Sequence, residues 1–355
     1  MIRLFRLVVL MLLWVVTSNN INAQVQTGTP PFSSVGGGPD AIDLGNLNIH
    51  ISIPILHKPG RGTNFTYDLS YDSSVWYPVG SSGNQVWTPV YNWGWRGSTE
   101  VATGYISYTM LSYVCLDSHG TKYFGGRTTY NNWVYHDAFG TSHGFSGQTQ
   151  EIMYPCINSG DTSLTATTGD GAGIQLQATG GSGYVLTKEG RNLNAPINSG
   201  TGASSAIDRN GNELTVDSSG DFYDTLSATT PVLTVTGSGT PTSPTKFTYT
   251  APSGGSVYFQ ANYTNYTVAT NFGISGISET KISSAVPLIS SIGLSDGSQY
   301  TITYEATPSN PPTGQCSPLS GTYSANCVTG RIASITYPTG GTISVSVRSV
   351  HLDEV

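Results

Sequence analysis

One segment near the N-terminus, residues 47–71, constrains the fold more than any other part of the chain. Its first half places an aliphatic side chain at every second position, at Leu47, Ile49, Ile51, Ile53 and Ile55. Its second half alternates in the same way, at Phe65, Tyr67, Leu69 and Tyr71. Between them, residues 58–62 supply a proline and two glycines, which favour a turn. A side-chain period of two is that of a strand with one buried face, so the segment predicts a long β-hairpin.

The same alternation, separated by short turn sequences, continues in the second half of the chain. The candidate turns are rich in Asp, Asn, Ser, Pro and Gly, and they lie at 208–212, 217–220, 251–255, 294–298 and 338–341. No window shows the period of 3.6 that is typical of an amphipathic helix. The sequence therefore predicts an all-β fold: antiparallel hairpins forming a β-sandwich-like N-terminal domain, followed by a repeat-like winding β-sheet.

The N-terminus predicts export. Arg3 and Arg6 precede an unbroken apolar run over residues 7–16, which is too short for the ~20 residues of a membrane span and suits a cleaved signal peptide. No later apolar run is long enough to cross a bilayer, so no membrane span is expected after signal removal. The expected location is secreted, periplasmic or at the cell surface.

Composition changes along the chain predict its domain organisation. Residues 161–212 are dense in Gly, Ser and Thr, which bury little surface, so a boundary is expected near residue 200. The predicted parts are a signal peptide at 1–23, a flexible leader at 24–40, an N-terminal β-rich domain at 41–200, a β-hairpin region at 201–348 and a tail at 349–355.

The charge and cysteine content limit the classes of partner and the covalent links that we expect for this chain. Charged residues make up only 10% of the chain, with a net charge of −7 and no Lys/Arg cluster, which excludes nucleic acid as an expected partner. Four cysteines suit an exported chain, and their spacing favours Cys115–Cys156 and Cys316–Cys327 among three possible connectivities. No C-x₂₋₄-C spacing occurs, so a structural zinc site is not expected.

An aromatic-rich stretch is the main candidate for binding. Its members are Trp76, Trp87, Tyr91, Trp93 and Trp95. Aromatic side chains on strands usually pack in a core or across strands. An exposed row could instead stack on sugar rings, and Trp93 and Trp95 would point the same way on a strand. Packing is the preferred interpretation, and glycan binding is the alternative.

No catalytic, metal or cofactor signature stands out. The chain lacks HExxH and a phosphate loop. His119, His136 and His143, with Asp137, could be taken for a metal or acid–base site, but each lies beside a predicted turn. A glycoside hydrolase would need two carboxylates about 5–10 Å apart. The available carboxylates are Asp68, Asp72, Glu100, Asp117, Asp137 and Glu151.

Several of these segments resemble RHS/YD-repeat proteins, which are large secreted or cell-surface bacterial chains. The resembling N-terminal segments are 53–55, 58–62 and 67–73, and the repeat-like ones are 208–212, 296–300, 330–332 and 337–341. The resemblance implies a winding β-sheet, often a hollow shell around a toxic C-terminal domain. Few repeats are present and the sequence ends in a charged tail, so a truncated or stand-alone N-terminal region is expected.

These observations lead to three hypotheses. The first is an exported, non-enzymatic surface or assembly module of the RHS/YD type, with an unknown protein or a surface glycan as partner. The second is a carbohydrate-binding module that uses the stretch from Trp76 to Trp95. The third is a glycoside hydrolase.

Overall fold

The computed structural model describes residues 34–35, 40–43, 48–138, 141–308 and 327–345, and these residues form almost only β-structure. They contain no α-helix, which confirms the all-β prediction, and accordingly no helix among them could cross a membrane. The predicted signal peptide, most of the leader and the tail lie outside the described residues.

The strands fall into three groups along the chain. The first group is β1 (Ser34–Val35), β2 (Asp40–Asp43), β3 (Ile49–Lys58), β4 (Phe65–Asp72), β5 (Trp76–Ser81), β6 (Asn84–Pro89) and β7 (Trp95–Thr99), with a 3-10 turn at Tyr91–Gly94. The second is β8 (Tyr105–Leu116), β9 (Lys122–His136), β10 (Ser142–Gly144), β11 (Thr149–Ile152) and β12 (Gly160–Asp161).

The third group contains the remaining strands. These are β13 (Ser163–Thr167), β14 (Gln175–Thr179), β15 (Ser182–Leu186), β16 (Asn192–Asn194), β17 (Ser204–Ile207), β18 (Glu213–Val216), β19 (Asp221–Asp224), β20 (Leu233–Thr236), β21 (Thr245–Thr250), β22 (Ser256–Val268), β23 (Ile277–Ser278), β24 (Val286–Leu294), β25 (Gln299–Ala306), β26 (Cys327–Thr336) and β27 (Thr342–Ser344).

The predicted N-terminal hairpin is present as β3 and β4, which pair antiparallel with one irregularity between Pro54 and Leu56. They lie in a sheet of order β1-β2-β3-β4-β7. The predicted apolar face is buried, with Ile51 and Ile53 fully excluded from solvent. Leu47 lies outside the described residues. The period-two pattern therefore predicted both the strands and the buried face.

Most of the third group forms one winding sheet of 14 strands, in the order β13 to β22 and then β24 to β27. Neighbouring strands are antiparallel, and β22 also makes a short parallel pairing with β26. The sheet is continuous across residue 200, since β16 pairs with β17 there. It thus begins inside the predicted N-terminal domain; the division at residue 200 itself stays a prediction.

Two apolar cores join this sheet to the earlier strands. The larger one packs the β3–β4 face against the sheet from β18 to β26. In it, the Tyr67 ring lies 5.4 Å from Phe222 and 5.5 Å from Phe247, between ring centroids. The smaller core packs β8 and β9 against β14 to β17, around the fully buried Trp133. The winding sheet is therefore one layer, and the two earlier sheets cover it.

Three turns share the sequence Asp-x-x-Gly, at 117–120, 208–211 and 217–220, and the last two lie in predicted turns. At Asp208, one carboxylate oxygen accepts the backbone N–H groups of Asn210 and Asn212, at 2.8 and 2.9 Å. Gly211 there has φ +79°, a value that residues with a Cβ rarely adopt. Asp117 and Asp217 accept the corresponding pairs of N–H groups in their own turns. The turn sequence thus satisfies its own backbone donors and leads directly into the next strand.

One of the two predicted disulfides is described. Cys115 on β8 is bonded to Cys156, with the Cα atoms 5.8 Å apart, and ties the loop after β11 to the β8–β9 hairpin. Cys316 lies outside the described residues, so its pairing with Cys327 stays a prediction.

Candidate functional site

A cavity of about 920 Å³ opens between β7 and the winding sheet. One wall is formed by Tyr91 to Gly97 and by Tyr67 and Leu69 on β4. The opposite wall comes from β20, β21, β22 and β24, including Phe247, Tyr263 and Leu288. We call this cavity the aromatic cleft. It lies between strands β4 and β7 of the N-terminal sheet and the winding sheet.

The structure divides the five predicted aromatic residues between two environments. Tyr91, Trp93 and Trp95 line the aromatic cleft. Tyr91 is 81% exposed, whereas Trp95 is buried with its ring 5.2 Å from the Tyr71 ring. Trp76 and Trp87 do not line the cleft, so the sequence-predicted group is not a single binding row.

Trp76 and Trp87 instead belong to a packing cluster built around Phe272. The Phe272 ring lies 6.5 Å from Trp76 and 5.3 Å from Trp87, both edge-to-face. The Arg331 guanidinium lies 4.5 Å above Phe272, and the Trp76 indole donates to the Thr329 carbonyl oxygen at 2.7 Å. These contacts are those of internal packing, as the preferred interpretation of the aromatic stretch expects.

Trp93 connects the packing cluster to the cleft. Its ring lies 5.6 Å from Trp76, and its backbone has φ +55°, next to Asn92 at φ +54°. A positive φ is rare for a bulky side chain and costs about 1–3 kcal/mol. Gly330 lies against the indole so closely that a Cβ there would come within 2.7 Å of it. The Trp93 indole is thus held at the cleft wall in a conformation that the backbone alone does not favour.

The polar side chains of the cleft are hydroxyls, the Asn92 amide and the Arg96 guanidinium. The Tyr263 and Thr245 hydroxyls are 3.0 Å apart and hydrogen-bonded. Burial raises the pKa of Tyr263, and that of Tyr67 to about 12, so both hydroxyls stay protonated at neutral pH. Burial lowers the pKa of Arg96, against the pull of Asp72, and the guanidinium still remains charged. No carboxylate lines the cleft among the described residues.

The carboxylates that a glycoside hydrolase would need have structural contacts elsewhere. Asp68 lies 2.6 Å from the His57 imidazole, and Glu151 accepts the Tyr130 hydroxyl at 2.8 Å. Glu100 accepts both the backbone N–H and the hydroxyl of Thr66 on β4. Asp72 is buried and accepts the Ser74 N–H, and Asp117 lies in its turn.

A second cavity, of about 470 Å³, is lined by Glu100 and Asp137 and by Glu189 from the turn before β16. The cations Arg96, Lys188 and Arg191 line the same cavity. Arg191 donates to the Glu100 carbonyl oxygen at 3.2 Å. Both positive and negative side chains therefore line this cavity.

The three candidate histidines do not converge. His119 lies in an exposed turn, while the ring nitrogens of His136 lie 2.9 Å from the Ser107 hydroxyl and 3.0 Å from the Ser142 hydroxyl. His143 is buried, with ring nitrogens 2.6 Å from Asp170 and 3.5 Å from Asp137. Sequence reasoning missed Asp170, which is remote in sequence from His143. Among the described residues, no group of three or more His, Cys, Asp or Glu side chains could hold a metal ion.

Comparison with known proteins identified no relative of this chain. No family model, curated protein or solved structure matches the chain. The similarity to RHS/YD-repeat proteins stays a prediction.

Proposed function

We propose that this chain is an exported, non-enzymatic β-rich module of the RHS/YD type that acts at a surface or in the assembly of a larger structure. The observation that carries the proposal is the 14-stranded winding sheet. In repeat proteins, each hairpin buries its apolar face only with the help of its neighbours. Here each strand of the sheet pairs with the next along the chain except at β23, and the β3–β4 hairpin covers the apolar face of the sheet.

The use of the titratable side chains supports a non-enzymatic role. Asp117, Asp208 and Asp217 organise turns, and Glu100 and Glu151 tie neighbouring strands together. A general acid or base must lie within hydrogen-bonding distance of the substrate and must have a suitable pKa. In the aromatic cleft, the ionisable side chains among the described residues are Arg96 and tyrosines, and burial raises the pKa of two of these, Tyr67 and Tyr263, further from neutrality.

Fractionation of the native host tests export directly. Full-length chain carrying a C-terminal epitope should appear in the medium, the periplasm or the cell envelope, with a new N-terminus near residue 24. A Leu10→Arg variant, which interrupts the apolar run of the signal, is the matched control and should stay in the cytosol. Cytosolic wild-type chain that retains its first residues would contradict the proposal.

The aromatic cleft favours glycan binding as a second candidate function. Tyr91 is exposed at the cleft, and Trp93 is held at its wall with a positive φ. Hydroxyl groups of Tyr263 and Thr245 lie across from this wall. An aromatic face beside hydroxyl donors suits a neutral sugar, because stacking covers the apolar face of the ring while hydrogen bonds orient it.

A polysaccharide pull-down with point variants tests glycan binding. Tyr91→Ala should weaken retention on the bound polysaccharide, because it removes an exposed ring without disturbing the core. Tyr154→Ala is the control, since Tyr154 is 89% exposed and does not line the cleft. A blank glycan panel, or equal retention of both variants, would count against this function.

A further inference from the structure

The structure points to a second copy of this chain as the partner of strand β8: we infer that two copies associate by antiparallel pairing of their β8 strands. The inference rests on the assembly role proposed above and names one partner for it. It begins from the position of β8 in the second sheet. Among the described residues, β9 is the strand that pairs with β8, along one edge only.

Among the described residues, the opposite edge of β8 has backbone partners at both ends and no paired strand between them. At the start, the backbone of Ile106 bonds to Pro196 and Asn198. At the end, the Ile157 N–H donates to the Leu116 carbonyl oxygen, 2.9 Å away. Irregular pairing with β9 near Ser107 and near Val114 leaves residues 109–113 as the regular stretch. This stretch has about the length of an average strand, and an unpaired strand edge is a template for another extended chain.

The side chains of this stretch have the exposure expected of a strand that lacks a neighbour. Met110 is 58% exposed, and Leu111, Tyr113 and Val114 are between 45 and 47% exposed. Each is flanked by β9 on one side, and no described strand pairs with β8 on the other. Soluble proteins usually protect such an edge with a charged side chain or a proline. Residues 105–116 contain neither.

The absence of charge favours a second copy over an unrelated partner. Two-fold antiparallel pairing places residues of one strand opposite residues of the same strand, so a charged strand would set like charges against each other. With no charge between residues 105 and 116, every register within the stretch is free of this repulsion. The whole chain carries a net charge of −7, so two copies approach most easily at an uncharged surface.

The disulfide fixes one end of the open edge of β8 before any second copy binds. Cys115 holds β8 to Cys156, and the segment that follows ends the open edge at Leu116. An edge that is already extended loses little conformational entropy when a second strand pairs with it. A two-fold pairing also uses the edge of both copies, so association closes at a dimer.

Sedimentation of the purified chain without residues 1–23 tests the inference. The wild type should be a dimer that dissociates on dilution. Leu111→Lys should weaken dimerisation about tenfold or more, because it sets two ammonium groups at the pairing. Val79→Lys, the same change at a position 48% exposed on β5, is the matched control and should leave the dimer unchanged. An intact Cys115–Cys156 bond and an unchanged urea midpoint would show that both variants are folded.

Single cysteines at positions 110 to 113 then identify the register. The residue on the two-fold axis faces its own copy, and only there should oxidation give an efficient covalent dimer. A monomer at all concentrations would overturn the inference, and so would a dimer unaffected by Leu111→Lys. Binding to phosphatidylcholine vesicles without dimerisation would assign the apolar edge to a membrane instead. None of these results bears on export, which the fractionation experiment tests separately.

Discussion

The contact between Tyr71 and Ile332 allows a sharp test of how the N-terminal hairpin joins the winding sheet. Tyr71 on β4 is almost completely buried, and its hydroxyl oxygen accepts the Ile332 backbone N–H of β26 at 2.9 Å. The two residues are 261 positions apart in sequence. Tyr71→Phe keeps the ring, and thus its packing on Trp95, while it removes the acceptor. The change therefore isolates one hydrogen bond across the interface between the layers.

The expected loss follows from the burial of both partners. Ile332 is buried, so its N–H cannot find water in place of the lost hydroxyl, and an unpaired buried donor costs about 1–3 kcal/mol. Urea denaturation followed by tryptophan fluorescence should show a lower midpoint with an unchanged slope. Tyr91→Phe is the control, because Tyr91 is 81% exposed and should change the stability by less than about 0.5 kcal/mol. Equal midpoints for Tyr71→Phe and Tyr91→Phe would refute the docking of β4 on β26.

Three further predictions use the same assay. Ile53→Ala should lower the unfolding free energy by about 2–5 kcal/mol, because Ile53 is fully buried under the winding sheet. A smaller loss than that of Ile42→Ala, at an exposed position, would contradict this. Removing the disulfide with Cys156→Ser should lower the unfolding free energy by about 4 kcal/mol, the value that the chain-entropy model gives for a sequence separation of 41. Adding reductant to this variant should then have no further effect on that loop. The Ala172 N–H and His143 hold the pKa of Asp170 at about 2, below its unfolded value near 3.9. Its stabilisation should therefore be present above about pH 4 and be lost as the pH falls towards 2, and Asp170→Asn should flatten that part of the pH profile.

Sequence reasoning succeeded where the determining interactions are local. The alternation over residues 49–55 and 65–71 predicts a hairpin because the period of two decides which side chains can share a face. Asp208 and Gly211 predict a turn because the carboxylate and the positive φ act within a few residues. Cys115 and Cys156 were paired correctly by sequence proximity.

Sequence reasoning failed where a contact joins distant residues. Packing was the preferred interpretation for Trp76 and Trp87, but the sequence did not indicate their partner Phe272, which only the folded chain brings beside them. The partner of Tyr71 lies on β26, and nothing near Tyr71 indicates it. The open edge of β8 was missed for the same reason, since an unpaired edge is a property of the assembled sheet.

Hydrogen exchange measured by mass spectrometry tests the layered arrangement most directly. Peptides from β3, β4 and β26 should exchange slowly and to a similar degree, and Ile53→Ala should accelerate all three together, because they belong to one core. Rapid exchange in β3 and β4 while β26 stays protected would show that the N-terminal hairpin does not cover the winding sheet.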